Sequence, residues 1–99
     1  MTIMNRRTFY IQLGEMPKAI DLLREIGPKI NFPGPCRVYH TLTGDFNQIV
    51  IEYEFEDLAA YEAFWQYWTD THAAEFMPRW HAISVPGGSN ELYHKVTEL

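Results

Sequence analysis

Between Gln48 and Phe55 the chain alternates with a period of two. Ile49, Ile51, Tyr53 and Phe55 fall on one side, and Gln48, Glu52 and Glu54 on the other. Successive side chains of an extended strand point to opposite faces, so this pattern predicts a strand that buries one face. The run Cys36–Leu42 reads as the preceding strand, and Thr43-Gly44-Asp45-Phe46 as the turn between the two. With Gly44-Asp45 at the hairpin tip, His40 faces Ile49, Val38 faces Ile51 and Cys36 faces Tyr53. Opposed residues share a face. Even-numbered side chains of one strand therefore join odd-numbered ones of the next in a single, mostly apolar layer.

The other segments fit around this hairpin. A first strand is predicted over Arg6–Leu13, where Phe9, Ile11 and Leu13 alternate with Thr8, Tyr10 and Gln12. A helix starts near Pro17, carries the stripe Ile20, Leu23 and Ile26, and stops at Gly27-Pro28. Asn31 to Pro35 is a loop by composition. Asp57 is placed to cap a second helix, whose stripe is Leu58, Tyr61, Trp65, Trp68 and His72, with Phe64 beside it. Ala73–His81 reads as a further short helix interrupted by Pro78, Pro86-Gly87-Gly88-Ser89 as a loop, and Glu91–Thr97 as the fourth strand.

The order βαββαβ predicts an α+β, ferredoxin-like domain over residues 1–99: a four-stranded antiparallel sheet, strand order four-one-three-two, with the helices on one face. The helix-facing layer then includes Arg7, Phe9, Ile11, Leu13, Leu42, Leu92, His94 and Val96 besides the hairpin residues. The opposite face carries Tyr10, Tyr39, Val50 and Tyr93 among Arg6, Arg37, Lys95, Glu52 and Glu54. A second copy packed on that face would bury the tyrosines and match the cations with the glutamates, which predicts a homodimer through the sheet faces.

Charge and cysteine content narrow the partners. The net charge is −5 with only 8 Lys plus Arg, a balance that repels phosphate backbones and argues against nucleic acid. The single Cys36 forms no intrachain disulfide, and no apolar run approaches the roughly 18 residues of a spanning helix. The reading is a cytoplasmic protein with no membrane segment. Aromatic residues make up 15% of the chain, enough either to fill an aromatic core or to line a cavity as well.

The candidate site follows from the helix-two stripe. Trp65 and Trp68 point at the sheet beside Tyr53, a flat aromatic setting, with His72 as the titratable group at its mouth. Arg7 is the cation of the helix-facing layer and suits an anionic group; His40 is a further candidate. The alternative for each is structural: core packing for the tryptophans, a helix-end role for His72, a solvated strand end for Arg7. His40 and His94 fall on the two edge strands, about 14 Å apart, too far to share one metal within a monomer. No paired-cysteine or His-Glu-x-x-His zinc pattern occurs, so neither metal nor cofactor is expected.

The segments Phe9-Tyr10-Ile11, Gly14-Glu15-Met16-Pro17, Tyr61 to Trp68, Thr71 to Phe76 and Pro86-Gly87-Gly88-Ser89 together give the chain a layout that resembles the dimeric α+β barrel superfamily. The likeness is to its antibiotic-biosynthesis-monooxygenase-like and NIPSNAP-like branches. It implies two sheets facing each other across a dimer, and a pocket in each subunit between sheet and helices. The superfamily includes cofactor-independent oxygenases and haem-degrading enzymes. The latter place a Trp and an axial His on this helix, with the His further beyond the Trp than His72 lies beyond Trp65 or Trp68. The leading expectation is a homodimeric small-molecule-binding protein, read as a monooxygenase-like enzyme acting on a small aromatic or apolar substrate, with His72 assisting proton transfer. A non-catalytic assembly module and a haem-binding protein are the alternatives.

Overall fold

The computed structural model describes residues 1–99. The elements run β1 (Ile3–Ile11), α1 (Met16–Ile26), a 3-10 turn (Gly27–Lys29), β2 (Cys36–His40), β3 (Gln48–Phe55), α2 (Leu58–Thr71), α3 (Ala73–His81) and β4 (Ser84–His94). The sheet is antiparallel in the order β2-β3-β1-β4. The hairpin register is the one the alternation requires, with Cys36 opposite Tyr53, Val38 opposite Ile51 and His40 opposite Ile49.

Each helix forms where its local signals agree. Asp57 caps α2, its carboxylate accepting from the Ala60 N–H at 2.8 Å and satisfying one of the free donors of the first turn. On α1 the fully buried positions are Ala19, Leu22 and Ile26, rotated by one residue from the expected stripe, with Ile20 and Leu23 on its shoulder. The buried face of α2 is centred on Phe64, flanked by Tyr61, Trp65 and Trp68 at helical spacing, whereas Leu58 in the first turn is half exposed. α3 continues through Pro78 and seats Phe76 and Trp80 in the core.

Three strands differ in extent from the sequence-based expectation: β2 ends early, at His40, and β1 and β4 shift at both ends. β1 begins at Ile3, three residues earlier, which brings Asn5 into the helix-facing layer with no exposed surface. β4 runs unbroken through the segment read as a loop: Pro86, Gly87 and Gly88 form a bulge opposite Phe9, and pairing resumes with Ser89 against Thr8. The bulge accommodates a proline without a ladder N–H, and both glycines adopt positive φ, +116° and +106°. A side chain on Gly88 would run into the Thr8 carbonyl.

Leu13, Leu42 and Val96 do not join the core. They lie beyond the ends of β1, β2 and β4 and are 88%, 91% and 89% exposed. The expected charge pairing between sheet faces is also met within one chain instead. Arg6 reaches Glu52 at 3.0 Å, while Arg37 and Lys95 reach Glu54 at 3.4 and 3.3 Å. The first two pairs join neighbouring strands, and Lys95, just past β4, reaches across β1 to Glu54, so intrachain routes satisfy all three. No helix is long and apolar enough to cross a membrane.

Candidate functional site

The helices close over the central strands but not against all of them, and an opening of about 420 Å³ remains between sheet and helices. That is within the size range of small-molecule sites. Its floor is Arg7 and Phe9 of β1, Cys36 and Val38 of β2, and Ile51 and Tyr53 of β3. Its roof is formed by α1 and the turn after it, by Phe64, Trp65 and Trp68 of α2, and by Phe76, Met77 and Trp80 of α3. Fifteen of the 17 lining residues are hydrophobic.

The rings hold one another in fixed attitudes. Trp65 meets Tyr53 edge to face at 5.1 Å and Trp68 at 5.9 Å; Trp68 meets Phe76 at 5.9 Å; Trp80 stacks on Phe76 and meets the edge of Phe9. Such contacts lock side chains that would otherwise collapse into the space. The indole N–H groups of Trp65 and Trp80 are buried without a hydrogen-bond partner.

Arg7 is the one charged side chain in the lining. Its guanidinium carbon sits 3.7 Å from the centre of the Trp65 ring, a cation–π contact. Its Nε donates to Asn5 Oδ1 at 3.1 Å. Asn5 is itself held by donating to Asn90 Oδ1 at 2.6 Å and to the Glu91 carbonyl at 2.9 Å. No carboxylate pairs with Arg7.

Tyr53 and Cys36 face each other across the hairpin. Burial pushes the Cys36 thiol from an ordinary 9.0 up to about 11. Burial, reinforced by Cys36 and partly opposed by Arg7, holds the Tyr53 phenol well above its usual range. Both stay protonated at neutral pH, so neither is a resident base or nucleophile there. These groups bind protons more tightly folded than unfolded. The contribution of Cys36 to stability is therefore whole below pH 9.0 and is lost as pH rises from 9.0 towards about 11. Urea midpoints measured across that span should fall for the native chain, and fall less for Cys36→Ala. Alkylation of Cys36 by iodoacetamide should be slow at pH 7.5 and accelerate steeply through the same span.

The structure brings four of the six anticipated site residues together: Arg7, Tyr53, Trp65 and Trp68 all line the cavity. His40 lies next door, on a smaller hollow formed with Ile20, Arg24 and Tyr39 at the β2 edge. His72 is placed elsewhere. It is the joint between α2 and α3, 9% exposed, and its Nε2 lies 2.8 Å from the Tyr67 hydroxyl. That hydroxyl also accepts from the Asn31 N–H at 2.9 Å. The imidazole thus ties the helical joint to the loop after α1 and does not line the cavity. No histidine lines the cavity, so the axial ligand of the haem-degrading enzymes has no counterpart there.

Asn5, Phe76, Met77 and Trp80 were not anticipated. Asn5 had a signal, since extending the first strand back one residue puts it in phase with Arg7. The α3 residues had one as well: Phe76 and Trp80 are four apart on a helix.

No protein-family model matches the sequence, and neither does any curated protein. The fold does match solved structures. A NIPSNAP family protein from Agrobacterium tumefaciens aligns with a TM-score of 0.83 at 20% identity, over 95% of this chain and 92% of that one. An uncharacterised NIPSNAP-like domain protein from Burkholderia xenovorans aligns with a TM-score of 0.80 at 15% identity, over 97% and 86%. A conserved protein from Methanosarcina mazei Go1 aligns at 0.73 and 15%, over 95% and 92%. The chain thus has the α+β, ferredoxin-like fold of NIPSNAP family proteins.

Proposed function

We propose that this protein binds a small, largely apolar molecule between its sheet and its helices, and does so as a homodimer. The observation that carries the reading is the cavity itself: about 420 Å³, walled by interlocked aromatic rings, Trp65 among them. A module that served only for assembly would gain stability by filling that space with side chains. Binding, not proton transfer, is the activity this lining supports. Its two weak acids, Tyr53 and Cys36, are held in their neutral forms, and His72 serves the helical joint. The dimer reading is supported by the uncovered sheet face, where Tyr39, Tyr93 and Val85 are 47%, 42% and 40% exposed.

Titration with naphthalene derivatives, followed by tryptophan fluorescence, tests the binding. Saturable quenching is expected, and Trp68→Ala should weaken it by about tenfold or more through lost ring contact. A titration with no saturable change, or a Trp68→Ala variant that binds like the parent, would sink the reading. Light scattering on the eluting protein tests assembly: two copies of the 11.6 kDa chain are expected, and a single copy would contradict the dimer.

A further inference from the structure

The polar side chains of the cavity carry no negative charge. Arg7 offers a cation, and Tyr53 and Cys36 keep their hydrogens at neutral pH and can donate them. No carboxylate, imidazole or amide side chain lines the space. We infer that the ligand is a monocarboxylate on a flat apolar body, its carboxylate held by Arg7 and its ring system packed among Trp65, Trp68 and Tyr53; this rests on the binding function proposed above.

The geometry around Arg7 supports the choice. A guanidinium at the floor of an apolar cavity is normally neutralised by an acid, yet its only hydrogen bond here is Nε to the neutral Asn5. That bond and the Trp65 face fix the guanidinium plane, and both Nη nitrogens are left without a protein acceptor. Two parallel N–H groups match the two oxygens of a carboxylate. Asn5 is a positioning residue: fully buried and bonded to β4 at two points, it sets where the guanidinium lies. One positive charge in an apolar setting balances one negative charge, which favours a monocarboxylate over a more highly charged and more strongly hydrated phosphate.

The test compares 2-naphthoate with naphthalene-2-carboxamide, its neutral counterpart of nearly the same shape, by calorimetry at pH 7.5. The native protein is expected to bind the acid about tenfold or more tightly than the amide, the scale of a charge-assisted pair. Arg7→Met should bring that ratio close to one, and Arg7→Lys, which keeps the charge but loses the fork, should fall between. Equal binding of acid and amide by the native chain overturns the inference and leaves the apolar cavity reading standing. Binding of neither overturns both. A high ratio that survives in a folded Arg7→Met variant, judged by a cooperative thermal melt, assigns the charge recognition elsewhere and also overturns it. Should Arg7→Met fail to melt cooperatively, the native ratio and Arg7→Lys still decide.

Discussion

Phe64→Ala is expected to lower stability by about 3–5 kcal/mol, the range for removing a buried aromatic ring. Phe64 is 4% exposed and lies within 6.0 Å, centre to centre, of five rings: Phe32, Tyr53, Phe55, Trp65 and Tyr67. It is the point where α2 grips the sheet, and three of its neighbours, Phe32, Tyr53 and Trp65, are also cavity walls. The loss should therefore appear twice, as a fall in the urea midpoint and as weaker binding of naphthalene probes by the fraction that stays folded. Phe46, 91% exposed in the hairpin turn, provides the contrast: Phe46→Ala should change stability by no more than about 0.5 kcal/mol. Equal effects of the two substitutions would contradict the placement of α2.

Gly88→Ala is expected to destabilise by about 3 kcal/mol or more, because two effects combine. The backbone has φ of +106°, a region that L side chains rarely enter, and the added methyl would overlap the Thr8 carbonyl. Relief would require the bulge to open, which moves β4 away from β1 and disturbs Asn90 and Glu91, the residues that hold Asn5 beneath Arg7. Thermal melts measure the loss; a Gly88→Ala variant that melts with the native chain would show that the bulge geometry is wrong.

What the sequence discloses here depends on how local the governing physics is. The β2–β3 register was legible because a turn and two alternating strands over-determine it, and a slip of one residue would turn both apolar sets to water. Asp57 was legible because a cap is a contact between neighbours. β4 was not, since Pro86-Gly87-Gly88 is indistinguishable from a loop until a partner strand supplies hydrogen bonds on either side of the bulge. The rotation of α1 from Ile20 and Leu23 to Ala19 and Leu22 escaped for a similar reason. A stripe of large residues marks the face that meets other apolar groups, and here part of that face is cavity wall. The site was half visible: a stripe of tryptophans facing a sheet located the cavity, and phase put Arg7 and Tyr53 in it. His72 fitted the same helical spacing, but α2 ends at Thr71, and the chain turns there before the imidazole can reach the cavity.

The most direct test of the cavity is a crystal grown with 2-bromonaphthalene, in which anomalous scattering locates the bromine. The expected result is a bromine between sheet and helices, with the ring system within about 4 Å of Trp65, Trp68 and Val38. Electron density that shows those tryptophans folded into the space, with no bromine between sheet and helices, would contradict the account.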